Sequence, residues 1–246
     1  TFDGIFYEPE ENRFIDGILP RIRSLTGYKR DIAYYALFQA CLAKRPYNLF
    51  HRANLSMRKR NVNRTFGNKT TWDRAFSELF VRFANEADEA VFESQNACQA
   101  FKSDVLKIDP DGFDLVYLDP PYISQKGAFV DYLDYYHFLE GLLQPDKWPN
   151  RILNSYKHKP LKGRGENPWC SPKLIEGVFE EAIRRFRGSI IVISYRSDGI
   201  PSIARISEML EKYTGGATIL DAGSYTYALS RNKKSHEVVL VGGTKK

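Results

Sequence analysis

Residues 115–122 read Leu115-Val116-Tyr117-Leu118-Asp119-Pro120-Pro121-Tyr122. Four apolar residues form a short buried-strand pattern, and the two prolines end it, because proline donates no ladder hydrogen bond and fixes φ. What surrounds this run decides the fold class. Residues 173–186 carry Leu174, Ile175, Val178, Phe179, Ile183 and Phe186 at helical spacing. Residues 189–195 then read as a strand, 201–213 as a helix, and 218–222 and 237–241 as strands. Strands separated by helices predict an α/β sheet with ligands at the strand carboxyl ends. The short polar link between the last two strands predicts an antiparallel edge hairpin.

Toward the amino end the pattern is helical. Phe14, Ile15, Ile18, Leu19, Ile22 and Leu25 repeat every three to four residues, with Pro20 expected to kink or break the helix. Asp31 is expected to cap a second helix that Pro46 stops. Residues 48–71 read as a polar, basic stretch, after which Trp72, Phe76, Leu79, Phe80, Phe83 and Ala87 resume helical spacing. Residues 135–143 read as a helix and 145–172 as loop. The expected division is a helical, target-recognition region over 1–92 and a catalytic α/β part over 93–246.

The chain has 246 residues, 43% hydrophobic and 27% charged, a globular composition that excludes disordered, collagen-like and coiled-coil classes. No apolar run approaches the ~20 residues that span a bilayer, and no leader pattern is present, so a cytoplasmic protein without a membrane partner is expected. Cys41, Cys98 and Cys170 are far apart and give neither a metal signature nor a disulfide framework. His137 and His158 lack metal spacing, so no metal site is assigned. The net charge of +6 favours a polyanionic partner.

The Asp-Pro-Pro-Tyr turn suits one reaction. The exocyclic amino group of adenine or cytosine is a poor nucleophile, since its lone pair is delocalised into the ring. Two acceptors on its N–H bonds, the Asp119 carboxylate and the Pro120 carbonyl, push that nitrogen toward tetrahedral geometry. Pro120 and Pro121 preset the carbonyl direction. Tyr122 offers a face on which an extruded base can stack. The methyl group would arrive in line from S-adenosylmethionine, with positioning supplying most of the rate.

Asp119-Pro120-Pro121-Tyr122 after an apolar strand resembles the catalytic motif of amino-group DNA methyltransferases. Residues 47–54, Tyr47-Asn48-Leu49-Phe50-His51-Arg52-Ala53-Asn54, and then Phe66-Gly67-Asn68-Lys69, resemble a recognition segment of the D12 class of N6-adenine methyltransferases, the Dam-like enzymes. Residues 193–199 and 225–241 resemble that class's strand and loop after the active site and its closing hairpin. The resemblance implies a partial Rossmann-like methyltransferase sheet, S-adenosylmethionine as cofactor and double-stranded DNA as partner. It implies catalytic roles for Asp119, Pro120, Pro121 and Tyr122, with Asp119 also at the cofactor. Asp104 matches an acidic position that meets the cofactor's adenine amino group, or else it caps a turn. Asn48, Arg52 and Asn54 match DNA-facing positions, where the class often has Gly after the Asn and this chain has Leu49.

Arg58, Lys59, Arg60, Arg64 and Lys69 extend the basic stretch, with Asn61, Asn63 and Asn68 interleaved. Such residues pair phosphates or read base edges. Further basic runs are Lys157, Lys159, Lys162 and Arg164, and Arg231, Lys233 and Lys234. Tyr132, Tyr135 and Tyr136 are candidates for the base pocket or for core packing.

The glycine-rich turn with which the class binds the methionine part of its cofactor is not found before Phe14. Residues 219–225 offer one glycine and place Tyr225 where a small residue belongs, so a permuted order is not expected. Either a second subunit supplies the cofactor half or the chain has been shortened; a split, heterodimeric enzyme is the favoured reading, and the sequence leaves open whether its role is restriction–modification or another. The alternatives are an N4-cytosine methyltransferase, which more often has Ser before the Pro pair, and a non-catalytic DNA-binding subunit with a relic site.

Overall fold

A computed structural model describes residues 2–60, 68–129, 131–163, 165, 167–224 and 235–243. Asn61, Asn63, Arg64, Phe66, Gly67, Arg164, Tyr225, Arg231, Lys233 and Lys234, named above, lie outside the described residues. The chain packs as two units, one formed by 1–98 with 132–163 and the other by 99–131 with 164–246. Packing therefore groups residues 132–163 with the helical region, although they fall after the functional division drawn at 92/93.

The first unit holds α1 (Pro9–Ser24), α2 (Gly27–Ala43), α3 (Ser56–Lys59), α4 (Asn68–Asp73), α5 (Phe76–Glu89) and α6 (Tyr132–Leu143). Helix α1 opens with a capping box, the Glu8 amide donating to Glu11 at 3.0 Å. It runs through Pro20 rather than breaking there, because that ring faces solvent and water can reach the backbone it frees. Helix α2 starts at Gly27, after an extended Thr26, so Asp31 lies inside it and is not its cap. Residues 48–71 are not simply a polar loop. Leu49, Phe50 and Leu55 are buried there. Phe50 joins an aromatic core in which it stacks on Phe138 at 5.1 Å and Phe6 meets both rings edge-on.

The second unit is a mixed α/β layer. Its strands are β1 (Leu115–Leu118), β2 (Ile190–Arg196), β3 (Ala217–Ser224) and β4 (His236–Gly242). Their order is β1-β2-β4-β3, with β1 parallel to β2 and β4 antiparallel to both neighbours. Helices α7 (Ile175–Arg185) and α8 (Ile203–Thr214) bury Ile175, Phe179, Ile183, Ile206, Met209 and Leu210 against Ile191, Ile193 and Leu240 of the sheet. Gly215 closes α8 in the left-handed region at φ +79°, where the missing Cβ avoids strain. Residues 219–223 form edge strand with a bulge between Asp221 and Gly223, not a strand-to-helix cofactor turn. Among the described residues no helix is long and apolar enough to cross a membrane.

Candidate active site

The carboxyl ends of β1 and β2 lie side by side, Leu118 opposite Ile193. Asp119 leaves the sheet there with its side chain exposed, and Pro120 beside it is buried. The chain after Tyr122 is then stitched to the loop after β2. The Ile200 amide donates to the Ile123 carbonyl at 2.9 Å and the Gln125 amide to the Asp198 carbonyl at 3.0 Å. Asp198 is itself held by Arg196 at 2.7 Å and by the buried Ser235 at 2.5 Å. The four motif residues therefore sit on a turn fixed at both ends.

Tyr122 is anchored at its tip. Its hydroxyl donates to Glu237 of β4 and lies 3.1 Å from Ser194 Oγ of β2, and Ser194 also donates to Glu237. Burial, the Glu237 contact and the nearby Asp119 charge raise its pKa well above the ordinary phenol value, although the Ser194 hydroxyl opposes them. Tyr122 is thus a neutral ring rather than a phenolate. The Tyr195 ring packs against it edge-on at 5.3 Å. Tyr195 is fully buried, and burial pushes its phenol up to about 12.

The predicted DNA-facing residues divide into two groups. Asn48 and Arg52 are exposed. Tyr47 and Asn48 both adopt positive φ, 62° and 56°, and Leu49 then returns to extended backbone. The turn is thus made before Leu49, which removes the need for glycine at that position. Paired left-handed non-glycine residues are strained, and such strain clusters at functional sites. Lys59 and Arg60 are exposed, with Lys59 3.2 Å from Glu8, and Lys69 pairs with Asp73 at 2.9 Å.

Asn54 and Arg58 instead point inward. Arg45, fully buried between the rings of Phe6 and Phe50, donates to the carbonyls of Phe6 (3.2 Å), Leu49 (3.2 Å) and Arg52 (2.8 Å) and to Asn54 Oδ1 (2.5 Å). One guanidinium thereby fixes the path of residues 49–54. Arg58 forks onto both Glu11 oxygens at 2.8 and 2.6 Å, and Lys44 reaches Glu11 at 3.0 Å. Sequence reading missed Arg45, Glu11 and Glu237. The one available signal was Arg45 directly before Pro46-Tyr47-Asn48, since a cation beside a buried turn finds carbonyls to bind.

Asp104 is exposed and caps the short 3₁₀ turn Val105–Lys107, accepting from the Leu106 amide at 3.1 Å. In the first unit, Tyr135 packs on His51 and Tyr132 on Tyr136. A cleft of about 520 Å³ in that unit, lined by Asp16, Phe138 and Trp148 among others, contains none of the predicted site residues. Among the described residues, no cluster of His, Cys, Asp or Glu is arranged to hold a metal.

Residues 10–156 match the family described as D12 class N6 adenine-specific DNA methyltransferase. The chain belongs to this family. It is 25% identical to the Type II methyltransferase M2.HphI of Haemophilus parahaemolyticus over 252 aligned positions, which cover 98% of this chain and 69% of that protein. It is also 25% identical to the Type II methyltransferase M.NlaIII of Neisseria lactamica over 128 positions, 51% of this chain and 35% of that protein. No solved structure matches it. As a D12 adenine-specific methyltransferase, the chain carries its Asp-Pro-Pro-Tyr turn inside the matched region, on a strand end where an α/β sheet binds ligands.

Proposed function

We propose that this chain methylates adenine N6 in an extruded base at a specific duplex sequence, with Asp119, Pro120, Pro121 and Tyr122 as its reacting site. The observation that carries this reading is the placement of an exposed Asp119 at the carboxyl end of β1, in a member of the D12 class. The Asp119 carboxylate and the Pro120 carbonyl each accept one N6 hydrogen and localise the lone pair on nitrogen. Tyr122 presents a neutral face for the base. After the new N–C bond forms, the surplus proton leaves through the solvent-exposed Asp119. S-adenosylmethionine supplies the electrophilic methyl group when bound.

The residues present fit one part of that cofactor. Asp104 is an exposed acid suited to the adenine amino group, and Asp119 lies at the methyl-transfer end. The described residues hold no glycine-rich turn for the methionine part. Strand β1 is at the sheet edge and leaves Leu115 and Tyr117, which share one face, 53% and 57% exposed. The unpaired β1 edge invites further strands, and the open apolar face invites a covering layer. The sheet of the second unit is, in this reading, the later part of a Rossmann-like methyltransferase sheet. The cofactor-binding strands add at the β1 edge and come from outside residues 1–246, as a partner chain in the split reading. Residues 1–92 serve target recognition and 93–246 catalysis, with residues 132–163 packed onto the recognition region. Asn48 and Arg52 meet DNA, Lys59, Arg60 and Lys69 meet its phosphates, and Asn54 and Arg58 hold the recognition loop in shape. A restriction–modification role in the cytoplasm goes with this reading.

Two measurements test it. Mass analysis of nucleosides from DNA modified by the assembled enzyme should find N6-methyladenine; N4-methylcytosine instead would overturn the substrate. Calorimetric titration should find feeble S-adenosylmethionine binding to this chain alone and tight binding with its partner. Micromolar binding and turnover by the isolated chain would refute the split.

A further inference from the structure

Glu237 is a carboxylate at the reacting site that no step of methyl transfer uses. It is the second residue of β4. Because β4 runs antiparallel to β2, its first residues lie at the sheet end where β1 and β2 deliver Asp119 and Ser194. One Glu237 oxygen accepts from both the Tyr122 and the Ser194 hydroxyls, which are 3.1 Å apart. Hydrogen bonds to an ionised acceptor are shorter and roughly twice as strong as neutral ones. Ser194 is buried, and Glu237 and Tyr122 are half-buried, so water competes weakly for these contacts.

A tyrosine ring swings about two side-chain torsions. Here the hydroxyl is pinned by Glu237 while Tyr195 packs edge-on against the ring. Tyr195 is fixed in turn. Its hydroxyl donates to the Ile200 carbonyl and accepts from the Ile123 amide at 3.4 Å, and a Cβ at Gly199 would strike its ring. Both torsions of Tyr122 are therefore constrained from outside the Asp-Pro-Pro-Tyr turn. We infer that Glu237, with Ser194, is a positioning residue that holds the Tyr122 ring in the plane on which the extruded adenine stacks. The inference rests on the reading that Tyr122 stacks the base. It extends the site to a strand 115 residues further along the chain. A fixed ring helps only once a base has left the duplex, so its loss belongs to turnover and not to duplex affinity.

The test uses the assembled, cofactor-competent enzyme. It compares Glu237→Ala, Glu237→Gln and Tyr122→Phe, and adds Glu237→Ala in the Tyr122→Phe background. Glu237→Ala should lower kcat about tenfold while KM for DNA moves less than about twofold, the signature of an interaction felt after ground-state binding. Glu237→Gln keeps an acceptor oxygen and should restore most of the rate. Once Tyr122→Phe has removed the donor, Glu237→Ala should cost less than about twofold more, the non-additivity expected of residues in contact. Duplex carrying 2-aminopurine at the target position should fluoresce more brightly in Glu237→Ala than in the parent, reporting a less stacked base. If Glu237→Ala does not fold, Tyr122→Phe against Glu237→Gln carries the same comparison. Equal loss from Glu237→Ala in both backgrounds, or no loss in the parent background, would overturn the positioning role and leave the stacking reading intact. Full activity in Tyr122→Ala would overturn the stacking reading and this inference with it.

Discussion

Arg58 grips both carboxylate oxygens of Glu11, 47 positions earlier in the chain, at 2.8 and 2.6 Å, with their side chains only 6% and 9% exposed. A cation from the basic stretch is thus spent on the interior of the helical unit. Removing one partner of a buried pair typically costs about 3–5 kcal/mol when it leaves the other charge uncompensated; here Lys44, 3.0 Å from Glu11, stays in place and reduces that cost. Arg58→Ala should lower the melting temperature by several degrees. An unchanged melting curve would mean that Lys44 alone compensates Glu11 and the Arg58 pair contributes nothing.

Arg52 makes the opposite case. Its side chain is exposed and only its backbone carbonyl is used, as an acceptor for Arg45. Arg52→Ala should leave stability within ~0.5 kcal/mol, as for most surface substitutions. DNA affinity should fall. If Arg52 neutralises a phosphate, the slope of log K against log salt should shrink by about 0.9. Binding that is unchanged from low to moderate salt would remove Arg52 from the interface.

This division of the basic stretch shows where sequence reading stops. The β1 run was legible to the residue, because Pro120 and Pro121 end a strand by covalent geometry alone. Helices α7 and α8 and strands β2 to β4 were legible because their apolar spacing is regular. The fate of each cation was not. Arg58 and Arg52 look alike in sequence, and only the fold brings Glu11 to one of them. Glu237 was invisible for a related reason: antiparallel pairing of β4 with β2 returns the chain to the catalytic end of the sheet, and local pattern carries no trace of that return. Asp31, an acid before an apolar face, is a strong cap signal that misleads here, because α2 starts a turn earlier after Thr26, which makes no side-chain cap hydrogen bond.

The acid limb of stability should have two steps. His137 is fully buried, and burial pushes its pKa down to about 4, from an ordinary 6.5, against the opposing hydrogen bond to the Phe50 carbonyl. The folded value lies below the unfolded one, so the unfolded chain binds the proton first. Stability is then complete above about pH 6.5 and falls toward pH 4. Burial raises the Glu11 pKa, but the Arg58 hydrogen bonds and charge outweigh it and hold that carboxyl below its ordinary 4.5. Its stabilisation is lost only below that value. Denaturant midpoints from about pH 2.5 to 7.5 should fall on acidification, and His137→Gln should flatten the 6.5-to-4 limb while sparing the lower one. A limb unchanged by His137→Gln would assign it to other groups.

The central claim is that Asp119 and the Pro120 carbonyl draw an adenine amino group into attack. The direct measurement is single-turnover methyl transfer by the assembled enzyme with Asp119→Ala, alongside DNA binding by the same variant. Transfer should fall by at least about a hundredfold, at the low end of what a positioned acid–base group contributes, while DNA affinity changes by less than about threefold. Transfer at the parent rate in Asp119→Ala would contradict the account.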